Sequence, residues 1–437
     1  MIKQYFKQAW TMMRQNKLFT SIYVAGTGLS IAFTMVLFII YYVKFAPVYP
    51  EYNRDRTLVI SYSAVGKKGA KDWNNANTGA NPKIAELIKD LPHLDKVGVS
   101  AMGGNWIQSY ISLPQSNEQI AVTPGWTDTG FWQVFTFRFL NGKPFDDAAV
   151  EAGSAVAVLT ESMAKRIFAS TDVVGNHFSF DGKDIQVIGI VEDATGTTPA
   201  TAADLYLPLY YGDQGNHFRP SNHQRGLLGN GTSIHMTATS ADDVETLRAE
   251  VIDVLNRYDQ EDQQWSHFWM DQPDIWWKST FRLGTATPDI ADAIRGFLYM
   301  LLALLFIPAM NLCGMISSRM DERMSELGVR KAYGATNVSL ISQVLTENLL
   351  LTLVGGLVGL ALAYFIALTG GDWVYHLFDT FVMPGGVNPS FTVEMLFNPT
   401  LFLTAFGLCV LLNLISALVP TILALRHTII YSIQSKR

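Results

Sequence analysis

Four long apolar runs punctuate the chain: Leu18–Val43, Gly296–Ser318, Leu349–Thr369 with a lead-in from Val338, and Thr400–Leu425. Each reaches the roughly 20 apolar residues that a helix needs to cross a bilayer. They divide the chain into an opening segment 1–17, a span over 18–43, a long region 44–291, a span over 292–318, a loop 319–337, a span over 338–369, a loop 370–398, a span over 399–425 and a tail 426–437. In 44–291 the period changes. Strand-like runs fall at Thr57–Tyr62, Ile107–Leu113, Gln119–Val122, Ala155–Leu159, Ile185–Val191, Leu205–Leu209 and Ile234–Thr239. Helices are predicted between them: Lys83–Leu91 after Asn81-Pro82, Glu161–Phe168 capped by Thr160, and Asp242–Tyr258 opened by Ser240-x-x-Asp243. Strands alternating with helices predict α+β packing with mixed sheets. The fold class expected is a membrane protein of four transmembrane helices, with a large α+β domain between the first and second.

Charge gives the pattern a direction. Only 16% of the 437 residues are charged and the mean hydropathy is +0.17, below the roughly 25% charged residues of soluble chains. Residues 1–17 carry Lys3, Lys7, Arg14 and Lys17 and no acid. Loop 319–337 holds Arg319, Arg323, Arg330 and Lys331 against Asp321, Glu322 and Glu326, and the tail has Arg426, Lys436 and Arg437. Loop 370–398 has Asp372, Asp379 and Glu394 and no Lys or Arg, and 44–291 is acidic. Basic segments stay in the cytoplasm, so both termini and loop 319–337 are expected there, with 44–291 outside. The first 17 residues read either as an interfacial amphipathic helix or as a snorkelling flank.

No catalytic constellation is present. There is no G-x-x-x-x-G-K-[ST] and no H-E-x-x-H, the eight histidines are scattered, and the two cysteines, Cys313 and Cys409, lie inside spans. The chain is expected to be no enzyme, to hold no metal and no cofactor, and to bind no nucleic acid. Glu347 stands in an apolar run, where an ionisable group is costly. Its readings are a proton or substrate contact, or a pair with Gln343, Asn348 or a base of the preceding loop, and the pairing is preferred. Gly355, Gly356 and Gly359, with Gly26 and Gly28 in the first span, permit close helix approach, within the chain or across a dimer. The Trp-rich stretch Trp265–Trp277 suits an outer interfacial belt, burial in the domain, or a substrate path.

Loop 319–337 and the span after it carry a family resemblance. Arg323, Glu326, Gly328, Arg330, Ala332, Gly334, Ala335, Gln343, Glu347, Gly355, Gly356 and Gly359 stand in the register of the cytoplasmic loop and next span of MacB/FtsX-type ABC-transporter permeases. The opening of the chain (Phe6, Lys7, Ala9, Trp10, Arg14, Asn16, Lys17, Gly26, Gly28, Leu29, Ala32) resembles the start of the same family. The stretches TPGWTDTGFWQVFTFRFLNGKPF, VAVLTESMAKRIF, VVGNHFSF and IQVIGIVEDA resemble its MacB-like periplasmic domain. The tail departs from the family pattern at Ile429, where a proline is usual.

The resemblance implies a bacterial inner-membrane permease working with a separate cytoplasmic ABC ATPase that holds the ATP and Mg. It implies a dimer of identical or paralogous permeases, with a membrane-fusion protein and an outer-membrane factor as candidate further partners. The coupling helix would use Glu322, Arg323, Glu326, Leu327, Gly328, Val329, Arg330, Ala332, Gly334 and Ala335. Gly26, Gly28, Gly355, Gly356 and Gly359 would pack helices, with the dimer contact drawn from Gly26/Gly28 and Gly355/Gly359. The function implied is transmission of ATP-driven motion to the periplasmic domain for export or efflux. The alternative is an FtsX-like regulator of a cell-wall hydrolase.

Overall fold

The structure is a computed structural model describing residues 14, 17–102, 109–113, 118–220, 226–282, 284–322, 324–378, 387, 390–396 and 398–425. Its longer helices are α1 (Lys17–Phe45), α2 (Lys83–Ile88), α3 (Glu161–Phe168), α4 (Val244–Glu261), α5 (Ile290–Glu322), α6 (Met324–Ala332), α7 (Asn337–Phe378) and α8 (Pro399–Leu425). The chain divides into two compact units: residues 1–42, 291–378 and 392–437 form one, and residues 43–290 with 379–391 form the other.

The second unit is built on strands β1 (Thr57–Ile60), β2 (Tyr62–Lys67), β3 (Asn75–Thr78), β4 (Leu94–Met102), β5 (Ser109–Ser112), β6 (Gln119–Val122), β7 (Pro124–Thr127), β8 (Phe139–Gly142), β9 (Val156–Thr160), β10 (His177–Phe180), β11 (Lys183–Val191), β12 (Leu205–Pro208), β13 (Ser233–Ala238), β14 (Trp265–Phe268) and β15 (Asp274–Ile275). One sheet runs β15-β1-β13-β4-β7-β12-β9-β11-β10-β5-β6, with β8 also on β11, and a smaller one runs β14-β2-β3. β9–β11 and β7–β12 are parallel and the other pairs antiparallel, so the mixed α+β expectation holds. Thr160 caps α3 by accepting from the Met163 amide at 3.4 Å. The Asn81 side chain accepts from the Lys83 amide at 3.0 Å and starts α2.

Strand β4 was not expected. Its first half, Leu-Asp-Lys-Val, is polar and partly exposed, and only Gly98–Ala101 carries a core pattern. The signature segment C-terminal to it explains why it is central. Phe131 is fully buried among Trp132, Phe135, Phe137 and Tyr206, with ring centroids 5.0–5.9 Å away. The turn before it lies flat on β4: a Cβ on Gly130 would come within 2.0 Å of the Val97 carbonyl, and one on Gly98 within 2.5 Å of the Phe131 amide. Asp128 fastens the turn by accepting from the Val99 and Phe131 amides at 2.9 and 2.8 Å.

In the first unit, three helical segments are long and apolar enough to cross a membrane among the described residues: Thr20–Phe45, Asn337–Gly370 and Phe402–Leu423. The expected span at 292–318 falls on α5, which continues unbroken to Glu322. Likewise α7 passes the expected boundary at 369 and is helical through Phe378, the last described residue there. The close-packed glycines meet inside the chain. A Cβ on Gly359 would stand 2.6 Å from the Gly28 carbonyl, and one on Gly355 would stand 3.0 Å from Thr27 Cβ. Gly356 faces the Phe406 ring on α8, whereas Gly26 has nothing within 4 Å. Within the chain, α1 against α7 occupies the seam of Gly28, Gly355 and Gly359. Small-residue spacing encodes close approach but not the identity of the approaching helix.

Candidate coupling site

Helix α6 and its turn into α7 form the candidate site. Gly334 ends the helix with φ of +92°, a left-handed conformation suited to glycine. The Tyr333 and Ala335 amides donate to Val329 and Arg330 carbonyls at 3.1 Å each. Thr336 then caps α7, its hydroxyl accepting from the Ser339 amide at 3.2 Å. Within this tight turn, α6 is held by its own side chains. Arg330 pairs with Glu326 one turn back at 2.6 Å and donates to Gln343 Oε1 on α7 at 2.6 Å. Gln343 in turn donates to buried Glu347 at 3.1 Å. Lys331 donates to the Leu425 carbonyl of α8 at 2.9 Å.

The helix thus has an inner and an outer face. Leu327 is buried with Ile316, Met320, Leu340, Val344 and Leu425, and Gly328 is buried beside it. Ala335 is half-buried against the same cluster. Val329 is 46% exposed and Tyr333 is 89% exposed; Glu326, Ala332 and Gly334 are also exposed. Glu322 is the last described residue of α5, and Arg323 lies outside the described residues. The preferred pairing of Glu347 with Gln343 is observed, and it extends to Arg330. In the sequence Lys331 counted only as one of the loop's topology-setting bases, and Tyr333 was not singled out. The available signal was an aromatic residue standing alone in a charged juxtamembrane loop.

Comparisons with known proteins bear on the same elements. Residues 20–254 match the MacB-like periplasmic core domain, and residues 277–429 match the FtsX-like permease C-terminal domain. The chain belongs to the MacB/FtsX family of ABC-transporter permeases. Among its relatives is an uncharacterised ABC transporter permease, YknZ of Bacillus subtilis, 26% identical over 67% of this chain and 68% of that one. The pyoverdine export ATP-binding/permease protein PvdT of Pseudomonas syringae is 22% identical over 82% of this chain and 50% of its own. The macrolide export ATP-binding/permease protein MacB of Aggregatibacter actinomycetemcomitans is 26% identical over 53% and 33%. The permease therefore spans half or less of the length of these PvdT and MacB relatives. A crystal structure of the periplasmic region of MacB from Actinobacillus actinomycetemcomitans aligns over 50% of this chain and 89% of its own, at 17% identity and a TM-score of 0.34.

Proposed function

We propose that this permease works in a MacB-type ABC transporter of the bacterial inner membrane, transmitting motion from a separate cytoplasmic ATPase to an exported domain. In this reading the chain crosses the membrane four times, through α1, α5, α7 and α8, with both termini and α6 in the cytoplasm and residues 44–291 outside. The supporting observation is the fastening of α6: Arg330 ties it to α7 and Lys331 ties it to α8, while Val329 and Tyr333 face outward. A push on α6 is carried into two apolar helices rather than absorbed by a loose loop. The relatives named for macrolide and pyoverdine export favour export as the task. Dimerisation and partnership with a membrane-fusion protein and an outer-membrane factor belong to the same reading.

The outward face, rather than Gly328, is where docking should be tested, because Gly328 is buried and its replacement would disturb the bundle. The double substitution Val329→Asp with Tyr333→Asp leaves the inner face intact. It is expected to abolish co-purification of a co-expressed ABC ATPase while leaving the yield and thermal midpoint of the permease unchanged. Undiminished co-purification would contradict docking at this face.

A further inference from the structure

Among the described residues, one buried histidine in the exported-type domain sits in a geometry built around its neutral form. His267, on β14, has a side chain only 1% exposed. Its Nδ1 lies 2.9 Å from Asp259 Oδ1 on α4, and the same oxygen accepts from the His267 amide at 2.5 Å. Its Nε2 accepts from the Leu227 amide at 3.1 Å. The ring proton therefore resides on Nδ1, and Nε2 uses its lone pair on a backbone N–H. The ring is stacked on Trp269, with centroids 5.6 Å apart and planes 7° apart, and meets the edge of Tyr258 at 5.4 Å.

Leu227 belongs to a strap, residues 226–229, that this bond helps to hold. Gly226 has φ of +58°, and a Cβ there would lie 2.2 Å from His267 Nε2, so only glycine brings the strap onto the ring. The strap is also tied to β2 and to the turn before α2. The Gly229 amide donates to the Ser63 hydroxyl on β2, and the Leu228 carbonyl accepts from Asn81 at 3.3 Å.

A second proton has a place to go. Asp262 Oδ2 stands 3.8 Å from His267 Nε2, while Asp262 Oδ1 is occupied by the Gln264 and Trp265 amides at 2.8 and 2.9 Å. The titratable or charged groups facing the ring among the described residues are Asp259 and Tyr258 on α4, Asp262 after it, and Lys68 after β2. Burial lowers the imidazole pKa from its ordinary 6.5, and Asp259 opposes this.

We propose that His267 is an acid-sensitive fastener: a proton taken up from solution at Nε2 ejects the Leu227 amide, turns that nitrogen toward the Asp262 carboxylate, and releases the 226–229 strap from β14. The strap is held while the ring is neutral and let go as pH falls through the folded-state pKa. This inference is independent of the transport reading.

Amide exchange of the full chain in detergent micelles tests it. After correction for the intrinsic exchange rate, a peptide spanning 226–232 is expected to lose about tenfold in protection between about pH 7.5 and about pH 5. Peptides over β12 should keep theirs, which separates strap release from global unfolding. The His267→Gln chain should show the same protection at both pH values. Asp262→Asn, which removes the acceptor for the imidazolium, should move the loss to lower pH. Equal protection of the natural chain at both pH values, or an equal acid loss in His267→Gln, would overturn the proposal. Should His267→Gln fail to fold, an unshifted midpoint in Asp262→Asn would overturn it as well.

Discussion

His235 shows how a single buried residue sets a pH dependence. It is fully buried on β13, its ring 5.1 Å from Phe135 and 6.3 Å from Trp276, and among the described residues neither nitrogen has a hydrogen-bond partner. Burial alone pulls its pKa down from 6.5 to about 4. A base with a depressed folded pKa stabilises the fold above its unfolded pKa, and that contribution is lost as pH falls through the folded one. The exported-type domain should therefore lose stability between about pH 6.5 and about pH 4, on the order of 3 kcal/mol. Asp128 acts with the opposite sign: burial raises its pKa to about 7, so its contribution is present in acid and lost as pH rises through that value. The two are separated by comparing unfolding curves of the natural chain with those of His235→Phe, in which the acid loss should shrink by about 3 kcal/mol; an unchanged acid slope would contradict the assignment. Neither residue was distinguishable in the sequence. His235 was one of eight scattered histidines, and Asp128 sat within a segment read only for its family resemblance, because burial depends on partners distant along the chain.

Among the elements, those with a strong local pattern were legible and those decided by tertiary contact were not. Strand β6 and helix α3 fell where expected, since alternation and a Thr cap are local signals. β4 was missed because its polar first half is held in the sheet by pairing with β13, while β7 joins only at Ser100–Met102. Loop 319–337 was legible in its charges and in the Gly334 turn. Its inner and outer faces were not, because helical spacing alone left both Leu327 and Val329 as docking candidates. The glycine seam gives a sharp contrast. Gly26→Ala should leave the thermal midpoint in detergent unchanged or slightly raised, since its Cβ meets nothing within 4 Å and alanine is the better helix former. Gly359→Ala should lower it, at a cost of about 1–3 kcal/mol, because its Cβ would press on the Gly28 backbone. Equal midpoints for the two variants would contradict the packing of α1 against α7.

At the scale of the whole molecule, the account rests on sidedness and on one docking face. Lys67 on β2 and Tyr333 at the end of α6 are both exposed, so each can report on the side of the membrane it occupies. The two native cysteines lie within helices α5 and α8. A cysteine at Lys67 should react with a membrane-impermeant thiol reagent on cells with a permeabilised outer membrane, and one at Tyr333 should react only after lysis. The reverse pattern would invert the topology.

The central claim, that α6 meets an ABC ATPase, is tested most directly by a photo-crosslinking amino acid at position 333 in membranes co-expressing that ATPase. Phe365 on α7, 63% exposed within the apolar part of that helix, serves as the comparison site. The account predicts a crosslink to the ATPase from position 333 and none from position 365. No crosslink from 333, or equal yields from both positions, would contradict it.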